Sequence, residues 1–179
     1  MVKKETKLIS KVGMLSAIAI ILQYIGTIMG LKVGGFLDVE ISDFPAILAA
    51  LSMGPVAGLL TEMIKNLLHL LITTTGGVGE LANFLINGIF AFTVGLIYKR
   101  NKTKKGAYIS LLYGVIALTV SAVIFNMLVL LPLYMPAAVF SEKLSIVLSL
   151  ITPFNLVRGI VLSVLTIATY KRLSPILHK

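Results

Sequence analysis

Long apolar stretches separated by short polar or basic segments run through the whole sequence. A membrane-spanning helix needs about 20 mainly apolar residues, and five stretches approach or exceed that length. They are residues 12–29, 56–72, 81–98, 107–131 and 154–170. A shorter sixth stretch, 44–52, is cut off from the next by Gly54-Pro55, because proline fits the start of a helix but not its interior. The pattern therefore predicts an all-α membrane protein in which residues 1–179 form a single domain of six helices, the second of them short.

The basic residues predict the orientation of these helices. They concentrate before the first stretch, in the segment Lys99–Lys105 and after the last stretch, 154–170, and such clusters mark the cytoplasmic side. To return from an outer loop at 31–43 to that segment, the chain must cross three times, so the short helix must reach the inner side. We therefore expect both termini in the cytoplasm. The outer connection 132–152 is long enough to form a cap rather than a simple turn.

Composition supports a lipid environment and excludes several kinds of chemistry. The chain has 179 residues, is 58% hydrophobic and 13% charged, and carries a net charge of +9. Its basic residues lie between apolar stretches and leave no basic face for nucleic acid. Cysteine is absent and there are two histidines, so no disulfide and no metal site are predicted. Without a catalytic motif, the sequence predicts no enzyme and no catalytic residue.

Polar residues inside the predicted helices converge on the outer third of the bundle. Asn126 lies near the outer end of its helix, while Asn155 and Arg158 are one turn apart at the start of the last one. Glu80, Asn83 and Asn87 descend along one face of the fourth helix. Because an ionisable residue at membrane depth is costly, Arg158 predicts a binding site. Two alternatives stay open: the arginine could snorkel to the interface, and the asparagines could simply join helices.

The third helix carries a second polar stripe. Glu62, Lys65, Asn66 and His69 occupy positions i, i+3, i+4 and i+7 near the middle of the membrane. We expect Glu62 and Lys65 to neutralise each other inside the bundle. The favoured interpretation is a buried network that fixes helix packing. The alternative is a proton-coupled carrier in which Glu62, Lys65 and His69 form a relay.

Several short motifs occur in a characteristic order from about residue 10 to residue 172. They are Leu15-Ser16-Ala17-Ile18-Ala19, Ser42-Asp43-Phe44-Pro45, Met53-Gly54-Pro55-Val56-Ala57-Gly58, Lys65-Asn66-Leu67-Leu68, Ala82-Asn83-Phe84-Leu85, Asn126 with Leu130-Leu131-Pro132-Leu133-Tyr134, and Pro153-Phe154-Asn155. Together they resemble the riboflavin-specific S component of energy-coupling factor (ECF) transporters. The resemblance implies a membrane subunit that captures riboflavin from outside and works with a transmembrane coupling subunit and two ABC-type ATPases.

The resemblance also implies roles for particular residues. The pocket asparagines of the family map to Asn126 and Asn155, and Arg158 stands where the family is expected to have lysine. A small-residue motif on the first helix, here Gly13-x-x-x-Ala17, would dock on the coupling subunit. Riboflavin is then the transported ligand, and no cofactor is expected.

The chemistry of a flavin fits these side chains. An asparagine amide complements the alternating carbonyl and N–H groups of the pyrimidine edge, and a cation can bind the ring acceptors. Apolar and polar groups near the outer end complete the predicted site. The candidates are Phe84, Met127, Leu131 and Phe154 for the ring walls, Glu40 and Asp43 for the ribityl hydroxyls, and Asn83 as a further ligand or as a packing residue. The alternative ligands are flavin mononucleotide and another vitamin.

Overall fold

The structure is a computed structural model that describes residues 2–30, 32–34, 37–38, 41–73 and 75–177, without the side chains of residues 2–4, 32, 38 and 171–177. The described part is almost entirely helical. Its elements are α1 (Val2–Met29), the two-residue strands β1 (Lys32–Val33) and β2 (Leu37–Asp38), α2 (Phe44–Met53), α3 (Pro55–His69) with a 3-10 turn (Leu70–Ile72), α4 (Val78–Arg100), α5 (Lys104–Phe125), a π-helical turn (Asn126–Leu130), α6 (Leu131–Tyr134), α7 (Phe140–Ile146), a second π-helical turn (Val147–Ile151) and α8 (Thr152–Leu177).

The all-α prediction is confirmed, with five helical segments of spanning length and one short helix in the described residues. The spanning segments are Glu5–Met29, Pro55–Ile72, Val78–Arg100, Lys104–Tyr134 and Phe140–Tyr170. The antiparallel pairing of β1 with β2 adds a small hairpin in the first outer loop. The first helix begins ten residues before the predicted start, at Val2 rather than Val12.

The predicted start of the last helix is wrong. Residues 132–152 are not mainly a loop, because helical structure resumes at Phe140 and continues through Pro153. Proline lacks an N–H donor and its ring clashes with the carbonyl one turn earlier, which is why Pro153 predicted a helix start. Here a π-helical turn ends two residues before Pro153, and another ends two residues before Pro132. The wider turn relieves the clash, and the Thr152 hydroxyl donates to the Val147 carbonyl at 2.7 Å.

The short helix α2 lies in the middle of the bundle, where α1, α3, α4 and α8 all contact it. Residues 45–51 are buried without interruption, as expected for a helix that is apolar on every side. A helix surrounded by protein does not need to match the thickness of the lipid. This position explains how a helix of only ten residues can serve as one of the six helices of the bundle.

Glycines allow the helices around α2 to approach closely. A Cβ added at Gly58 would lie 2.7 Å from the Ala50 Cβ, and one added at Gly95 would lie 2.6 Å from the Pro55 Cα. Close backbone contact of this kind replaces the hydrophobic driving force that is absent between helices in lipid. Gly13 and Ala17 do not take part in such contacts, because both are exposed on the face of α1 that points away from the bundle.

Candidate binding site

The centre of the candidate site is Asp43, in the turn immediately before α2. Its side chain is 1% exposed and forms ion pairs with two cations, Lys65 of α3 and Arg158 of α8. Burial raises the pKa of the Asp43 carboxyl, but Arg158 and Lys65 lower it, and the net direction is down. Asp43 is therefore an ionised carboxylate that joins three parts of the fold.

Lys65 connects this carboxylate to α4. It is fully buried, and its ammonium lies 2.8 Å from a Glu62 carboxylate oxygen and donates to the Asn83 Oδ1 at 2.9 Å. The Ser42 hydroxyl oxygen accepts a further bond from Lys65 at 3.3 Å. The predicted pairing of Glu62 with Lys65 is thus confirmed, and Asn87 extends the network by donating to the Asn83 backbone carbonyl at 3.1 Å.

The charges of this network balance. Asp43 and Glu62 supply two carboxylates, while Lys65 and Arg158 supply two cations. Pairing is required because an isolated charge inside a bundle would cost several kcal/mol or more. Sequence reasoning missed the role of Asp43 as the common partner. The sequence carried one signal for this role. The predicted spans contain two cations, Lys65 and Arg158, but only one carboxylate at comparable depth, Glu62.

His69 does not belong to the same network as Glu62 and Lys65. The prediction that one continuous polar stripe joins these residues is therefore wrong. Its Nδ1 lies 2.8 Å from the Glu80 Oε1, near the outer ends of α3 and α4. The other Glu80 oxygen accepts from the Thr73 and Thr75 hydroxyls at 2.9 and 3.0 Å. A second cluster therefore closes the turn between α3 and α4, and its hydrogen bonds join His69, Glu80, Thr73 and Thr75 rather than Glu62.

The two predicted ligand asparagines are both buried and lie on neighbouring helices. Asn126 opens the first π-helical turn and donates to the Ala122 carbonyl at 2.7 Å. Asn155 donates to the Ile151 carbonyl, in the second π-helical turn, at 2.9 Å. Isolated π-helical turns within α-helices occur frequently at functional sites.

The register of α5 and α8 sets the relative heights of the two amides. A Cβ at Gly159 would contact Val115 and Leu118, so α5 and α8 pack closely at this level. In the predicted topology α5 runs outward and α8 runs inward. Counting outward at about 1.5 Å per residue places Asn126 roughly 8 Å farther out than Asn155. Arg158 lies about one turn inward of Asn155. The three side chains therefore occupy successive levels.

The residues predicted to form the apolar walls differ in how deeply they are buried. Leu131 is buried in the main core, and Met127 packs against the same core together with Leu37 and Phe44. Phe84 and Phe154 are half-buried. Glu40 lies outside the described residues.

A cavity of about 530 Å³ lies elsewhere, at the inner ends of the helices. Tyr98 and Tyr170 are part of its lining, and their hydroxyls are 3.1 Å apart. None of the predicted ligand residues lines it. Leu51, near the end of α2, is also part of its lining.

Comparison with known proteins identifies the family. Residues 7–170 match the family model described as ECF transporter, substrate-specific component. The chain belongs to this family. As an S component it is a transporter subunit and a membrane protein, in agreement with its apolar helices.

Individual relatives match this S component over nearly its whole length. It is 36% identical to "Riboflavin transporter RibU" of Staphylococcus aureus (strain TCH60), covering 98% of this chain and 95% of that protein. It is 34% identical to "Riboflavin transporter FmnP" of Bacillus subtilis (strain 168), covering 96% and 94%. A solved structure described as "Structure and mechanism of the S component of a bacterial ECF transporter" matches with a TM-score of 0.82, 35% identity, and coverage of 98% and 99%.

Proposed function

We propose that this S component binds riboflavin from the outer side of the cell membrane and delivers it inward. The observation that carries the proposal is the pair of buried amides, Asn126 and Asn155, on adjoining helices at two π-helical turns. The match to two proteins named riboflavin transporters supports the choice of ligand.

The amides suit the pyrimidine edge of the isoalloxazine ring. This edge alternates carbonyl acceptors with an N–H donor, and each asparagine can donate and accept. Both Nδ2 groups already donate to backbone carbonyls one turn earlier, which fixes the side-chain orientation before a ligand arrives. Preorganised groups bind with a smaller loss of conformational entropy.

Arg158 supplies the positive charge of the proposed pocket. One of its terminal nitrogens is paired with Asp43, and its side chain is 12% exposed. A guanidinium has five donors in a rigid fork, a geometry that can pair with a carboxylate and also bind a flavin acceptor. Asp43 then acts mainly as the group that orients Arg158, and less as the ribityl ligand that the sequence suggested.

Uptake would require coupling to a transmembrane subunit and two ABC-type ATPases. The exposed positions Gly13 and Ala17 on α1 form a shallow surface on which a partner helix could pack closely. Apart from the neighbouring backbone of α1, a Cβ added at Gly13 would have no atom of the described residues within 4 Å. These features support docking through α1.

The test is the absorbance spectrum and riboflavin affinity of the purified protein. We expect a yellow preparation whose riboflavin fluorescence is quenched on binding. Asn155→Ala should weaken binding by about 10- to 100-fold, because a ligand hydrogen bond to a buried amide is lost. The matched control, Asn101→Ala in the exposed inner loop, should bind normally.

Competition assays define the ligand. Riboflavin should displace bound flavin at lower concentration than flavin mononucleotide or any of a panel of other vitamins. A protein that folds but neither carries nor binds flavin would overturn the proposal. Preferential binding of flavin mononucleotide would change the ligand assignment.

A further inference from the structure

The inner cavity has an amphipathic lining that the proposed riboflavin site does not use. Its cytoplasmic rim carries Lys102 and Lys104, together with Thr103. Deeper in the membrane, its walls are Ala107 and Leu111 of α5 and Ile167 of α8. From Lys104 to Leu111 the helix rises about 10 Å, so positive charge gives way to an apolar wall over that depth.

The rim has an uncompensated positive charge. No aspartate or glutamate occurs between Glu80 and Glu142, whereas Lys99–Lys105 contains five basic residues. Among the described residues, no carboxylate forms an ion pair with Lys102 or Lys104. An anion is therefore the complementary group for this rim.

Three tyrosines add hydroxyl groups to the lining of the cavity. Tyr98 and Tyr170 pair through their hydroxyls within the cavity, while Tyr108 is exposed at its edge. Aromatic residues with a polar tip are typical of the boundary between lipid chains and headgroups. The cavity therefore combines a cationic rim, hydroxyl groups and an apolar wall.

We propose that this cavity binds an anionic phospholipid of the cytoplasmic leaflet. The phosphate would lie at Lys102 and Lys104, and an acyl chain would follow Ala107 and Leu111. Basic pockets between membrane helices on the cytoplasmic side are suited to anionic headgroups. The cavity volume of about 530 Å³ accommodates part of a lipid but not a whole one, so the rest of the lipid would remain in the surrounding bilayer.

Native mass spectrometry of the full chain in detergent tests this site. With phosphatidylglycerol and phosphatidylcholine supplied at equal concentration, we expect preferential retention of one phosphatidylglycerol. Lys102→Gln/Lys104→Gln should reduce the retained fraction by about tenfold, because the negatively charged headgroup phosphate loses both cationic partners. The matched control is Arg100→Gln/Lys105→Gln, which removes the same charge from the same segment at positions outside the cavity lining.

A second pair of variants tests the apolar part without changing charge. Ala107→Phe should fill the cavity and reduce phosphatidylglycerol retention, while Ala137→Phe in the exposed outer segment should not. Thermal unfolding of each variant shows whether the fold is intact. If Ala107→Phe fails to fold, the two charge-removing double variants still decide the question.

Three outcomes would overturn the proposal. Equal loss of lipid in the two charge variants would indicate diffuse attraction to the basic loop. Equal retention of phosphatidylcholine and phosphatidylglycerol would remove the role of the charge. Displacement of the lipid by millimolar inorganic phosphate would identify a soluble anion as the occupant.

Discussion

Arg158 and Asp43 form an ion pair across 115 positions of sequence. The pair joins the second turn of α8 to the residue immediately before α2, and Lys65 contacts the same carboxylate from α3. The start of α2, α3 and α8 therefore share one buried anion. A change in any member should affect both stability and the shape of the site.

Removing Lys65 should destabilise the protein strongly. Lys65→Met leaves the Asp43 and Glu62 carboxylates in a buried setting with Arg158 as the remaining cation. The expected cost is about 3–5 kcal/mol, because a buried charge loses its partner. Thermal or denaturant unfolding in detergent measures the change. Arg158→Gln should cost less, since the Arg158 side chain is 12% exposed and that of Lys65 is fully buried.

The double variant Glu62→Gln/Lys65→Met is the control for this charge argument. It removes one carboxylate together with the cation, so the remaining pair is Asp43 with Arg158. It should be more stable than Lys65→Met alone, as expected when two coupled sites are changed together. A double variant less stable than the single one would contradict the account of the network as a balanced set of charges.

The sequence predicted the number and order of the helices because hydrophobic length and basic clusters are local properties. The apolar stretches at 56–72 and 81–98 correspond closely to α3 and α4. The pairing of Glu62 with Lys65 was also predictable, since residues three apart lie on the same face of a helix. Their shared partner Asp43 required knowledge of which helices adjoin, which periodicity does not contain.

Pro153 shows a different reason for a wrong prediction. Proline is a reliable breaker of a regular α-helix, but the π-helical turns before Pro132 and Pro153 let helical structure pass through both residues. A π-helical turn has no evident local sequence pattern here. The separation of His69 from Glu62 was also not predictable, because it depends on where the α3–α4 turn places Glu80.

The geometry of Arg158 should matter for ligand binding as well as its charge. Arg158→Ala should weaken riboflavin binding by about 10- to 100-fold through loss of a charged hydrogen bond. Arg158→Lys keeps the charge but not the planar fork, so its affinity should fall between those of the wild type and Arg158→Ala. Fluorescence titration of samples with matched folded fractions gives the comparison. Wild-type affinity in Arg158→Ala would exclude a direct role.

The His69–Glu80 pair should stabilise the α3–α4 turn without moving protons across the membrane. Glu80→Gln should lower stability by about 1–3 kcal/mol, because the carboxylate accepts from His69, Thr73 and Thr75. Its riboflavin affinity should change by less than about twofold, since the proposed ligand groups Asn126, Asn155 and Arg158 lie on other helices.

A flux assay tests the alternative of a proton-coupled carrier. The isolated chain in ATP-free liposomes should not accumulate riboflavin in response to a pH gradient. The reason is that His69 is bonded to Glu80, whereas Glu62 is bonded to Asn66. His69→Phe serves as the matched variant. Accumulation that depends on pH and disappears in His69→Phe would establish the carrier mechanism instead.

Replacing glycine by alanine should have opposite effects on stability at Gly95 and at Gly13. Gly95→Ala should destabilise the protein by about 1–3 kcal/mol, because its Cβ would meet the Pro55 backbone at 2.6 Å and the Ala50 carbonyl oxygen at 3.1 Å. Gly13→Ala has nothing within 4 Å of the new Cβ and should leave stability unchanged or raise it by up to about 1 kcal/mol. Unfolding midpoints in detergent measure both. Equal effects would contradict the close contact of α4 with the start of α3.

Larger residues at the exposed small positions of α1 should separate binding from uptake. Gly13→Leu and Ala17→Leu add bulk on the surface proposed to dock on the coupling subunit, where close helix approach requires small residues. Riboflavin affinity of the isolated chain should be unchanged, because these positions face away from the buried network. Uptake by cells that contain the coupling subunit and ATPases should be lost. Val120→Phe, at an exposed position of α5, adds similar bulk and should transport normally; impaired uptake in that variant too would indicate a general effect of surface bulk rather than a docking site.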